Sequence, residues 1–147
     1  MAISSLVVAC NVAAQSSVTL LDNDKVLDIP IDTIGSVLPR QHFELYDPYQ
    51  GHQVNMQGVM FRDFLALHFD EVPPALRFTA WDDYQVTLSG WDDPNWYLVT
   101  HEEGAPISLR ERGPLRLVER DYGDRDTENL REFNDWIWMI RSIEAVW

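Results

Sequence analysis

Five arginines, Arg110, Arg112, Arg116, Arg120 and Arg125, crowd into one short stretch of a chain that carries 24 acidic residues against 11 basic ones. A guanidinium offers parallel N–H donors that grip a phosphate or carboxylate two-handed, so this stretch is the natural place to hold an anionic ligand. Arg112 and Arg116 are the candidates for that role. The competing reading, which carries more weight, pairs the five arginines on the surface with Glu111, Glu119, Asp121 and Asp124, contacts worth little individually.

The other reactive side chains make no pattern. His42, His52, His68 and His101 never approach the His-x-x-x-His spacing that places two imidazoles on one metal, and Glu44, Glu102 and Glu103 beside them add only mixed ligands. Cys10 is the single cysteine, which excludes an internal disulfide and any thiolate zinc cluster built within one chain. No Gly-x-Ser-x-Gly, phosphate loop or dinucleotide fingerprint occurs, and the carboxylates are too numerous to single out an acid–base pair. No catalytic residue and no metal ligand is assigned. Of the 6 tryptophans, Trp81, Trp91 and Trp96 lie around turns, where an indole lines a cleft or partner surface as readily as it fills a core.

The elements that would position these groups follow from periodicity. Val18 to Leu21 and Val26 to Ile29, split by Asp22-Asn23-Asp24, predict a hairpin. Asp32 to Leu38 predicts a brief helix stopped by Pro39 and weakened by Gly35. Phe43 and Leu45 alternate with polar neighbours, and Val54 and Met56 resume that alternation after a loop from Asp47 to His52. Phe61, Phe64, Leu65 and His68 recur with the spacing that only a helix gathers on one side. Leu76, Phe78 and Ala80 alternate, as do Tyr84, Val86 and Leu88, which predicts a second hairpin across Asp82-Asp83. Tyr97 to Thr100 and Leu115 to Val118 read as strands. Asp126 or Thr127 is expected to cap a final helix with Leu130, Phe133 and Ile137 on one face, and Met139 to Val146 either continues it or turns to strand. Irregular order, many tight turns and no βαβ rhythm predict a single α+β domain with a mixed β-sheet and a few short helices.

The run Gly113-Pro114-Leu115-Arg116-Leu117-Val118, followed downstream by Trp136-Ile137-Trp138, adds a resemblance. Upstream come Gly104-Ala105-Pro106-Ile107-Ser108, Ala80-Trp81-Asp82-Asp83-Tyr84 and Gly58-Val59-Met60-Phe61-Arg62-Asp63-Phe64-Leu65. In this order the motifs resemble the molybdopterin-binding domain of sulfite-oxidase-type oxidoreductases, over Val18 to Trp147. The resemblance implies that family's fold, a core position for Trp136 and Trp138, and a cofactor whose terminal phosphate Arg112 or Arg116 would bind. It also implies a cysteine thiolate on molybdenum, on the strand before the Gly-Val-x-x-x-Asp-x-Leu helix. That place falls on Phe43 to Gln53, which contains no sulfur, and a soft metal centre would lose a charged ligand if Tyr46 or Asp47 stood in.

A length of 147 residues with 46% hydrophobic residues suits one domain, and a formal charge of -13 repels phosphate backbones and anionic lipid. No apolar stretch is long enough to span a bilayer. Met1 to Ala14 is uncharged and ends in the small-x-small pattern Val12-Ala13-Ala14, so residues 1–14 read as the remnant of an export signal and 18–147 as the domain. A periplasmic location is expected, with lipid anchoring through Cys10 ranked below ordinary cleavage. The expected function is a stand-alone exported domain without molybdenum redox chemistry, acting as a ligand-binding or protein-interaction module and needing no cofactor. The first alternative is an oxidoreductase subunit that binds a molybdenum-pterin (molybdopterin) cofactor through backbone groups and Arg112 or Arg116. A further alternative is an accessory sensor docking a membrane signalling protein.

Overall fold

The computed structural model describes residues 17–147; the expected export signal and Cys10 lie outside the described residues. The first hairpin forms as its sequence requires. β1 (Ser17–Asp22) and β2 (Lys25–Pro30) pair antiparallel around a turn in which Asn23 takes φ 53°, a left-handed conformation that asparagine tolerates. A 3-10 turn (Ile31–Thr33) leads into the short helix α1 (Ile34–Val37), which buries only Ile34. β3 (Gln41–Asp47) and β4 (His52–Met60) flank a tight turn and run directly into α2 (Phe61–His68), whose Phe61, Phe64 and Leu65 are buried.

β5 (Ala75–Ala80) and β6 (Gln85–Ser89) form the second hairpin, followed by β7 (Trp96–Glu102) and the two-residue β8 (Ala105–Pro106). Next come a 3-10 turn (Leu109–Glu111), β9 (Arg116–Glu119), a further 3-10 turn (Leu130–Phe133), β10 (Ile137–Trp138) and β11 (Ile140–Val146). Two sheets result. One has the order β2-β1-β11-β5-β6 and is mixed, because β11 runs parallel to β1 and antiparallel to β5. The other has the order β10-β9-β7-β4-β3, with β8 paired to β7, and is antiparallel throughout.

Aromatic packing joins the sheets into one core. Phe61 of α2 lies 6.0 Å from Phe78 of β5 and 5.1 Å from Trp91, which meets Trp96 of β7 at 5.7 Å. Trp91 and Trp96 are therefore core residues, and the Trp91 Nε1–H donates to the Leu88 carbonyl at 3.0 Å, so its polar atom is satisfied inside. Gly58 permits the closest approach between strands. It sits at a bulge opposite Val99, where a Cβ would collide with the Leu98 carbonyl oxygen.

The final helix expected from Asp126 or Thr127 does not form. The Asn129 side chain caps a single 3-10 turn by accepting from the Arg131 N–H, Leu130 is exposed, and Ile137 already belongs to β10. The left-handed Met139 (φ 59°) then redirects the chain into β11, which fills the gap between β1 and β5. Pairing of Ile137 with Leu117 of β9 and packing of Phe133 on Tyr122 override the local helical period of Leu130, Phe133 and Ile137, a case of tertiary context deciding between periods.

Candidate functional site

Arg116 opens β9 with Val99 on one side and Trp138 on the other as cross-strand partners. Its guanidinium is fully buried. Nη1 donates to Asp47 Oδ2 at 2.7 Å and to Glu102 Oε2 at 2.6 Å, while Nε and Nη2 are buried without a partner among the described residues. The surface pairing expected for the arginine stretch thus fails at Arg116, whose partners come from the distant ends of β3 and β7. Arg125 does reach an expected partner, Glu119, at 2.6 Å, but the pair is half-buried. Arg116 instead compensates two carboxylates inside the six-stranded sheet, the arrangement in which losing one partner is costly.

Asp47 passes this order on to the turn that follows it. Its carboxylate accepts from the Tyr49 N–H at 2.9 Å and from Gln50 Nε2 at 2.7 Å, and its carbonyl accepts from Gly51, whose φ of 74° closes the turn. Burial alone would raise the Asp47 pKa. The Arg116 charge and the bonds from Arg116, Gln50 and Tyr49 outweigh it and hold the carboxyl below its ordinary value. The turn holds the Tyr49 backbone and distant residues hold its side chain: its hydroxyl donates to the Phe133 carbonyl at 2.7 Å, and its ring meets Trp138 edge-on at 4.5 Å. Burial, followed by the Asp135 charge, raises the Tyr49 phenol, so it stays protonated.

Tyr49 forms one wall of a cleft of about 290 Å³ that draws residues from both sheets. Tyr84, Trp136 and Trp138 supply the other rings, and Asp82 and Asn134 supply polar groups at the rim. Ligand pockets start near 300 Å³ and combine aromatic walls with a few placed polar groups, so the cleft suits one small planar molecule. Arg112 stands beside it, its guanidinium carbon 5.9 Å from the Trp138 ring centroid. The chain reaches this point through a left-handed Arg112 (φ 79°) whose carbonyl accepts from the Met139 N–H at 3.1 Å. The two candidate arginines therefore separate: Arg112 flanks the cleft, and Arg116 braces the turn that carries Tyr49.

The remaining arginines of the stretch lie away from the cleft. Arg120 lies over Phe43 and Tyr97, Arg125 over Phe133 at 4.8 Å, and Arg110 is exposed. Trp81 is half-buried beneath Arg141. Trp136 is buried, in line with the core position expected for it, whereas Trp138 is half-buried and lines the cleft. His101 contacts Thr100 and Arg40, and burial followed by the Arg40 charge lowers its pKa, so it is a neutral ring at neutral pH. A second, larger depression of about 530 Å³ beside it combines apolar walls from Pro30, Ile107 and Pro114 with the polar groups of Asp32, Thr100 and Ser108.

The segment Phe43 to Gln53 does not fit the role of molybdenum ligand that the resemblance implies. It offers only hard oxygen and imidazole donors, and Asp47 is committed on both oxygens. Sequence reasoning missed Tyr49 as a cleft residue; its one signal was the Asp-Pro-Tyr turn between two alternating strands. No protein-family model matches the chain, and no curated protein matches it in sequence.

Proposed function

We propose that the chain is an exported domain of the sulfite-oxidase molybdopterin-binding type that lacks molybdenum redox chemistry and works as a ligand-binding module. Its ligand is a small planar heteroaromatic molecule of pterin type, received in the cleft of Tyr49, Tyr84, Trp136 and Trp138. The observation that carries this reading is that cleft: four aromatic rings converge on a space of about 290 Å³ with Asp82 and Asn134 at its rim. A carboxylate and an amide there match the ring N–H and carbonyl groups of a pterin, and the rings supply stacking surface. Arg112 on the Trp138 ring adds one positive charge beside the cleft for an anionic substituent.

Arg116 supports the same reading from a distance. A phosphate beside it would add negative charge to Asp47 and Glu102, which already share its single positive charge, so Arg116 is the brace and Arg112 the anion contact. The test is a titration of the purified protein with pterin and with a pterin phosphate, read by quenching of tryptophan fluorescence. Saturable binding that Trp138→Ala weakens by about tenfold or more supports the proposal. Absence of saturation with either compound, or molybdenum near one equivalent in protein made under cofactor-producing conditions, overturns it.

A further inference from the structure

The sheets end in strands that differ in how they are protected. An edge strand exposes unpaired backbone groups, and proteins blunt such edges with charges, proline or short length. β2 carries Lys25 and Asp28 and ends in Pro30, β3 exposes His42 and Glu44, and β10 is two residues long. Among the described residues, β6, Gln85-Val86-Thr87-Leu88-Ser89, ends the five-stranded sheet with neither a charge nor a proline. The direction of its backbone groups can be read from the ladder. The Ala80 N–H donates to the Tyr84 carbonyl, and pairing continues through Phe78 with Val86 and Leu76 with Leu88. By the alternation of an antiparallel pair, Tyr84, Val86 and Leu88 turn their backbone groups toward β5, and Gln85, Thr87 and Ser89 turn theirs outward.

A groove of about 540 Å³ runs beside this edge, between the Tyr84, Val86 and Leu88 side chains and the segment holding Arg131, Glu132 and Asp135. We propose that β6 is a docking edge for an extended cationic peptide segment of a partner protein, which adds to the sheet as an antiparallel or parallel strand. Strand addition satisfies the outward groups of Gln85 and Thr87 and sends every second peptide side chain over the apolar floor of the groove. The charge of the occupant follows from the wall: Glu132 and Asp135 outnumber Arg131, Asp82 lies just beyond Tyr84, and the whole chain carries -13. That same charge opposes pairing of β6 with a second copy of this chain. The proposal does not depend on a ligand in the aromatic cleft.

The test uses a fluorescein-labelled peptide alternating arginine with valine, followed by fluorescence anisotropy against the whole chain. Thr87→Pro removes one outward N–H and leaves the bonds to β5 intact, so the protein keeps its circular dichroism while the peptide loses about tenfold or more in affinity. Glu132→Lys with Asp135→Lys weakens the same peptide and flattens its salt dependence. Amide exchange in the complex shows new protection at Gln85 and Thr87. Unchanged affinity in folded Thr87→Pro, protection at β2 in place of β6, or a dimer of the free protein that Thr87→Pro dissociates would each overturn the proposal.

Discussion

Arg112 and Arg116, close neighbours in the sequence, end in opposite surroundings. Arg116 is sealed within the six-stranded sheet, its Nη1 shared by Asp47 and Glu102, while Arg112 stands half-exposed on the face of Trp138. The first region is closed and charged; the second is open and aromatic. Tyr49 links them, because the Asp47 that Arg116 holds also holds the Tyr49 backbone, and the Tyr49 ring packs on Trp138. The contrast teaches that an arginine's capacity to bind a ligand is set by the carboxylates folded against it and not by its place in a basic stretch.

The sharpest break of this comparison is Arg116→Ala, which leaves Asp47 and Glu102 facing each other without a cation. Breaking a buried pair in this way costs about 3–5 kcal/mol, a large part of the roughly 5–15 kcal/mol that holds a domain folded. Urea unfolding should show a correspondingly lowered midpoint, and a midpoint unchanged from the parent would mean that Arg116 does not brace the turn. The same cluster sets an acid limit. The Asp47 carboxyl titrates below its ordinary 3.8 in the folded chain. Its contribution is therefore complete above that value and is lost as pH falls below it toward the folded pKa. Acid unfolding at fixed urea should begin at a higher pH in Asp47→Asn, where this contribution is missing at every pH.

Much of this geometry was legible from local pattern. The alternation at Phe43 and Leu45, the apolar stripe of Phe61, Phe64 and Leu65, and the paired alternation around Asp82-Asp83 all gave the observed elements, because one face of each is buried on a single core. The last third of the chain was less legible. Leu130, Phe133 and Ile137 keep a helical spacing, yet Phe133 packs against Tyr122 while Ile137 pairs with Leu117, contacts that no short window contains. Residue type and the phosphate implied by the resemblance point to Arg112 and Arg116 alike. Nothing local separates them, since the carboxylates that capture Arg116 lie at the ends of β3 and β7 and only the sheet brings them together.

Tyr49→Phe tests the link between the two regions with a smaller effect. It deletes only the hydroxyl that donates to the Phe133 carbonyl and leaves the ring on Trp138, so stability falls by about 1 kcal/mol, the usual net value of one such bond. Pterin affinity should fall modestly as well, through a loosened wall and not through a lost contact. A loss as large as that of Trp138→Ala would show that the phenol itself touches the ligand.

Arg112→Ala has the smallest effect on folding and sharpens the comparison most. Its guanidinium lies 5.9 Å from the Trp138 centroid, at the outer limit of a cation–π contact, and is half-exposed, so its removal costs at most about 1 kcal/mol. Its effect belongs to binding. In the pterin titration, Arg112→Ala should weaken the phosphate-bearing compound and leave the uncharged pterin unchanged, because only the former has an anion for the guanidinium to meet. Equal loss for both compounds would assign Arg112 to the support of Trp138 and remove it from ligand recognition.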